Sequence, residues 1–249
     1  MKADFIFFGG QSNMQGQTEA KDNFEVSQNA YEYRLETDSL KKLSNPVGED
    51  IGEILLGSHL GNGSLVPYFA EKYCLETGKN VVAVHVAKGA TVIAQWLKDG
   101  DEGRERYAKT IEKINGALSK AEADKKYYVW LQGESDALAK TTEDEYCQRL
   151  TQFKNDLKKD VGIDKFFIIK VGYFASNFER KDDDEVIMRA QDRLAREDDD
   201  FVILTDVTLQ LSQDNTYINP EAVGHYNNEA MKIIGETAGE VAGKVRNSN

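Results

Sequence analysis

The chain has 249 residues, 40% hydrophobic and 30% charged, enough to bury a full core and ordinary in composition for a globular protein. Its 43 acidic residues outweigh 31 basic ones, for a net charge of −12, which argues against nucleic acid or an anionic membrane as a partner. No apolar run approaches the ~18 residues of a membrane span. Cys74 and Cys147 fall inside predicted helices and imply neither a disulfide framework nor a zinc site. The start lacks a charged segment followed by an apolar one, so the sequence reads as cytoplasmic, or as secreted if a signal peptide has been removed. Only three prolines occur and no Pro/Gly/Ser-rich linker divides the chain, which predicts one domain over residues 1–249.

Five short apolar runs, at residues 5–8, 81–86, 127–131, 166–171 and 201–205, predict buried parallel strands, rich in Val, Ile, Phe and Tyr. Helical stripes lie between and after them: Tyr107, Ile111, Ile114 and Leu118; Tyr146, Leu150, Phe153 and Leu157, with Thr142 and Glu145 as a capping box; Val186, Ala190 and Leu194; and Met231, Ile234, Ala238, Val241 and Val245. Strands alternating with helices predict an α/β fold, a three-layer α/β/α sandwich around a five-stranded parallel sheet of flavodoxin-like order 2-1-3-4-5. The segment 18–63 is a long excursion, polar and Gly-rich, with one hairpin candidate at 33–35 and 40–43; a connection of this length usually either shapes a binding rim or is poorly ordered. Acidic runs at 182–185 and 197–200 read as solvated helix ends and loops, and neither has the ligand spacing of a calcium loop.

In such a sheet, ligands bind beyond the carboxyl ends of the strands. The first strand ends at Gly9-Gly10-Gln11-Ser12-Asn13, the second at Lys88-Gly89-Ala90-Thr91, and the third at Gln132-Gly133-Glu134-Ser135-Asp136; Gly224-His225-Tyr226 opens the last helix. Taken alone, Ser12 reads as a helix cap after a glycine turn. Its company alters that reading. A serine hydroxyl needs an imidazole to become a nucleophile, and the oxyanion it generates needs fixed donors. Gly89 offers a backbone N–H and Gln132 an amide. Of the three histidines, His85 lies in a strand and His59 in the long loop, which leaves His225 at the functional edge. No Gly-x-Gly-x-x-Gly or Gly-Lys-Ser/Thr loop follows the first strand. The order of Ser first and His last, with no Gly-x-Ser-x-Gly, also sets the chain apart from the α/β-hydrolases.

With these residues in view, the chain resembles the SGNH-hydrolase superfamily, in its branch of sialate O-acetylesterase-like and acetylxylan-esterase-like carbohydrate esterases. The blocks Gly10-Gln11-Ser12-Asn13-Met14, Lys88-Gly89-Ala90-Thr91 with Trp96, Trp130-Leu131-Gln132-Gly133-Glu134-Ser135-Asp136 and His225-Tyr226-Asn227-Asn228 occur in family order. The resemblance implies Ser12 as nucleophile and His225 as base. It implies an oxyanion hole from the N–H groups of Ser12 and Gly89 and the amide of Gln132. Gln11, Asn13, Trp96 and Glu134 would organise the pocket or contact substrate. It implies no metal and no cofactor, and an acetylated saccharide as substrate.

One departure matters. The family places Asp three residues before the catalytic His, where this chain has Ala222. Glu221, Asp214 or Asp206 would orient the imidazole from a displaced position, or a backbone carbonyl would hold it in a Ser–His dyad. In a serine protease, changing the orienting Asp to Asn costs ~10⁴ in turnover. The leading expectation is a serine esterase that removes O-acetyl groups from a carbohydrate through an acetyl-serine intermediate. The alternative is a catalytically impaired carbohydrate-binding module that retains the esterase pocket.

Overall fold

A computed structural model describes residues 1–57, 62–174 and 180–248. The run of Phe and Ile at 5–8 leaves no face for water, and β1 (Lys2–Gly10) is buried along its whole length after Lys2. It leads directly into α1 (Ser12–Gln15), a single buried turn. A hairpin follows, β2 (Ala30–Arg34) and β3 (Ser39–Lys42). Then come α2 (Val66–Thr77), β4 (Val81–Ala87), α3 (Arg104–Leu118) and β5 (Glu122–Leu131). The chain continues through α4 (Glu134–Leu138), α5 (Glu143–Asp160), β6 (Lys165–Ile169) and α6 (Lys181–Glu197). It ends with β7 (Phe201–Thr205), α7 (Thr208–Leu211) and α8 (Asn228–Asn247). Thr142 caps α5 and forms the expected box with Glu145.

The sheet has seven strands in the order β3-β2-β4-β1-β5-β6-β7. The five predicted parallel strands are present in the predicted order, as β4-β1-β5-β6-β7. The five-strand count is corrected to seven. The hairpin of the 18–63 excursion does not stand apart at a rim: β2 pairs in parallel with β4, with Ala30 opposite Val81, and β3 closes the edge antiparallel to β2. The reason is physical. An uncovered β4, buried on both faces, would be a bare apolar edge, and the short, Lys-bearing β3 takes that position instead.

Alternating side chains divide the core into two layers. Phe8 packs edge-on against Phe69 of α2, and Tyr127 against Tyr73 of the same helix. Tyr128 and Trp130 turn to the opposite face, against Phe153 of α5. On the first face, α2 and α8 lie so close that a Cβ on Gly239 would come within 2.3 Å of the Phe69 carbonyl oxygen.

On α3 the apolar stripe is incomplete. Ile111 and Leu118 are only partly buried, whereas Lys113 is fully buried and pairs with Glu49 at 2.7 Å. Glu49 also accepts the N–H groups of Leu35 and Glu36, and neighbouring Glu32 pairs with Arg34 at 3.0 Å. The excursion is thus fastened to the sheet by buried charge. One acidic run also differs from expectation. Asp184 is buried and accepts the N–H of Phe174 at 3.0 Å, whereas Asp198 and Asp200 pair with Lys154 near the surface. Cys74 and Cys147 are free thiols. Among the described residues no helix is long and apolar enough to cross a membrane, and no acidic, His or Cys cluster has a metal-binding arrangement.

Candidate active site

Gly10 ends β1 at φ +141°, and a Cβ there would come within 2.0 Å of the Leu131 carbonyl oxygen. Only glycine permits this approach of β1 to β5. The turn delivers Ser12 as the first residue of α1. Gln11 occupies the cap position and makes no side-chain cap bond. Ser12 is therefore not the helix cap that it resembles in isolation.

Ser12 lines a cleft of about 390 Å³ with Gln11, Gln15, Gly89, Glu134 and His225 among its walls. It sits 3.4 Å (Cβ to an ideal Cβ on Gly89) from the second block. Ser12 Oγ and His225 share this cleft without a hydrogen bond between them among the described contacts, an arrangement common before substrate binds. The Nδ1 atom of His225 lies 3.1 Å from the carbonyl oxygen of Val223 and 3.3 Å from that of Ala222. A carbonyl only accepts, so the proton resides on Nδ1 and Nε2 keeps its lone pair.

Among the described residues, no displaced acid takes the position vacated at 222. Asp214 accepts from the N–H and hydroxyl of Thr216, and Glu221 and Asp206 are exposed with no bond to the ring. Among the described residues that line this cleft, Glu134 is the carboxylate. It is 5% exposed, Oε1 accepts from Asn13 Nδ2 at 2.7 Å, and Oε2 is buried without a partner among the described residues. Burial pushes its carboxyl above the ordinary range, while the Asn13 amide and the charge of nearby His225 pull it back.

Asn13 ties the site together. It donates to Glu134 and to the Gly224 carbonyl and accepts the N–H of Tyr226 at 3.3 Å, linking α1 to the histidine loop.

Two sequence-derived assignments change. Gln132 does not face the cleft: it is fully buried, and its Nε2 donates to the Thr91 carbonyl at 2.8 Å and to Asp136 at 2.5 Å. Trp96 is also fully buried, donates to Thr91 Oγ1 at 3.0 Å and packs edge-on against Trp130 at 5.2 Å. Both support the second and third blocks from behind. Apolar burial is more favourable for an indole than an open rim, and the amide finds a full set of partners there.

Gln15 and Phe174 are cleft residues that no sequence motif singles out. Gln15 Oε1 accepts the Gly89 N–H at 3.2 Å, and its Nε2 donates to the Gly57 carbonyl at 2.9 Å. A buried glutamine on the nucleophile's own turn was the available signal. The Phe174 ring packs on Gly224, where a Cβ would fall 2.2 Å from it, and the Arg180 guanidinium lies 5.3 Å from the ring centre. Nothing local in the sequence marks that contact. His59 lies outside the described residues.

Comparison with known proteins agrees with this architecture. A family model described as carbohydrate esterase, sialic acid-specific acetylesterase, matches residues 2–237. Among solved structures, a protein from Arabidopsis thaliana aligns with TM-score 0.68 and 20% identity over 98% of both chains. A carbohydrate acetylesterase from Xanthomonas citri aligns at 0.62 and 15% identity, covering 99% of this chain and 57% of that one. An acetylxylan esterase from Geobacillus stearothermophilus aligns at 0.53 and 13% identity, over 95% and 91%. These likenesses establish a shared fold, that of the SGNH-type acylhydrolases. No protein of curated function matches the chain by sequence. The family match spans nearly the whole chain and includes every block that lines the cleft, and so the chain belongs to the carbohydrate esterase family of sialic acid-specific acetylesterases.

Proposed function

We propose that the protein is a serine esterase that removes O-acetyl groups from a carbohydrate through an acetyl-serine intermediate. The observation that carries this reading is the shared cleft. Ser12, Gly89, Glu134 and His225 line one cavity of about 390 Å³, and the tautomer of His225 leaves Nε2 free to take a proton.

His225 Nε2 removes the proton of Ser12 as Oγ attacks the acetyl carbonyl. The N–H groups of Ser12 and Gly89 receive the oxyanion, Gly89 sharing its donor with Gln15. Collapse returns the proton from His225 to the departing sugar oxygen. Water, activated by the same imidazole, then attacks the acetyl-serine and releases acetate. Glu134 lines the same cleft, and its carboxylate offsets the charge of the imidazolium as that charge forms, the part that the residue at 222 cannot play.

Hydrolysis of 4-nitrophenyl acetate by the wild type and by Ser12→Ala tests the reading. The variant is expected to lose at least about 10³-fold in kcat. Equal rates would remove Ser12 from the mechanism.

The alternative, a carbohydrate-binding module with a relic pocket, draws support from one observation: the imidazole is oriented by carbonyls, with no carboxylate among the described residues bonded to it. It predicts sugar binding with no acetyl release and no covalent labelling of Ser12 by a fluorophosphonate. Labelling at Ser12 decides for the enzyme.

A further inference from the structure

An oxyanion is stabilised by donors that already point at the place where its charge develops. The cleft is short of such donors. Gln132, the amide the sequence nominates, directs both Nε2 hydrogens to Thr91 and Asp136 behind the cleft wall. The Gly89 N–H already has an acceptor in Gln15 Oε1, and the Gln15 amide is itself directed to the Gly57 carbonyl.

Gln11 differs from both. It lines the cleft beside Ser12 and is 3% exposed. Its Oε1 accepts the backbone N–H of Ser135 at 3.2 Å. A backbone N–H only donates, so this contact fixes which end of the amide is oxygen. The Nε2 end then has no acceptor among the described residues, and Gln11 lines the open cleft. The planar amide is thus held at one end by the third block and offers two unused hydrogens at the other, one residue from the nucleophile.

We propose that Gln11 Nε2 is the side-chain donor to the oxyanion, in the place the sequence gives to Gln132. The inference rests on the esterase reading above and adds a catalytic residue to it. In the ground state Nε2 has no partner among the described residues. When Ser12 Oγ adds to the carbonyl carbon, the new alkoxide oxygen accepts from Nε2 as well as from the backbone donors, and no bond from Nε2 to protein has to break for it to do so. Ser135, through its N–H, is the positioning residue that keeps the amide from turning over.

The test compares kcat and KM for 4-nitrophenyl acetate in the wild type, Gln11→Glu, Gln11→Met and Ser12→Ala. Glutamate keeps an oxygen for the Ser135 N–H and the same shape, and replaces only the donor. Gln11→Glu is expected to lose roughly 10²- to 10³-fold in kcat, with KM within about threefold and an unchanged melting midpoint. Gln11→Met, which removes the donor without adding charge, loses kcat likewise. A purely structural role would be rescued by glutamate, so near-wild-type kcat in Gln11→Glu overturns the proposal, as does a loss confined to KM.

In the wild-type protein, the Gln11 side-chain amide protons are expected to shift downfield in NMR when methylboronic acid forms a tetrahedral adduct on Ser12. An adduct without that shift overturns the proposal even if neither variant folds. If Ser12→Ala keeps the wild-type rate, the esterase reading itself fails, a result distinct from any behaviour of Gln11.

Discussion

Burial resists a charge on Glu134 and raises its carboxyl above the ordinary range. It is almost fully buried, one oxygen accepts from Asn13, and the other has no partner among the described residues. A buried carboxyl of this kind is a mark of a functional site, and it lines the same cleft as His225. Glu134→Gln keeps the acceptor for Asn13 and removes only the charge. It is expected to lower kcat for 4-nitrophenyl acetate by ~10²-fold or more, with KM little changed. The melting midpoint should hold or rise, because a destabilising buried charge has gone. Steady-state kinetics and calorimetry on the one variant check both halves. At this scale the sequence was legible where chemistry is carried by residue type and block order. Ser12, Gly89 and His225 meet at one cleft as the motifs suggested. It was illegible for Gln132 and Trp96, because a motif names a side chain but not the face of the strand end on which it emerges. Gln11 and Gln132 flank the site in sequence alike, and only the backbone N–H of Ser135 and the carbonyl of Thr91 assign one to the cleft and the other to the core.

The elements around the site are fastened in ways that periodicity reports unevenly. The strands were plain from their unbroken apolar runs, and α5 from its capping box, since both signals are local. The helix α3 was only half legible. Its stripe admits Lys113, a residue that composition assigns to solvent, because Glu49 from the excursion meets it inside. That pair is remote in sequence and has no local signature. Burial draws the Lys113 ammonium below its ordinary range, while Glu49 and Glu32 draw it back up. Lys113→Met fills a similar volume but leaves the carboxylates of Glu49 and Glu32 without this cation in the core. It is expected to cost about 3–5 kcal/mol in stability, measurable by urea denaturation, and to loosen the hairpin from β4. A variant of unchanged midpoint would mean that the pair contributes nothing to holding the excursion. His85 sits at the same junction, with Nε2 donating to the Met14 carbonyl at 3.1 Å. Burial holds its pKa down to about 3, so it acts as a neutral strut beneath α1 rather than as a base.

Over the whole molecule the net charge is −12, and none of the described residues that line the cleft is Lys or Arg. A substrate that carries a carboxylate approaches against the field of the whole protein, and salt screens that repulsion over about 10 Å at 0.1 M. The expected outcome is a several-fold rise in kcat/KM for an acetylated anionic sugar as ionic strength goes from about 10 to 150 mM. An uncharged acetyl ester should show little change over the same range. A fall with salt for the anionic sugar would instead reveal a cation held at the site. The direction of that slope distinguishes anionic from neutral acetylated sugars as favoured substrates.

The sequence by itself determined the parallel strands and their order, the helices between them, and the three strand ends and final helix start that carry Ser12, Gly89, Glu134 and His225. Those features follow from patterns a few residues long, and from the rule that parallel strands deliver their carboxyl ends to one edge. Tertiary structure alone decided that the hairpin joins the sheet, that Lys113 is buried, that backbone carbonyls orient His225 in the absence of an acid at 222, and that Gln11 rather than Gln132 presents an amide to the cleft. Each of these is a pairing that the packed fold makes, where a donor or a charge takes whichever partner is brought within reach, and no short stretch of sequence encodes that choice.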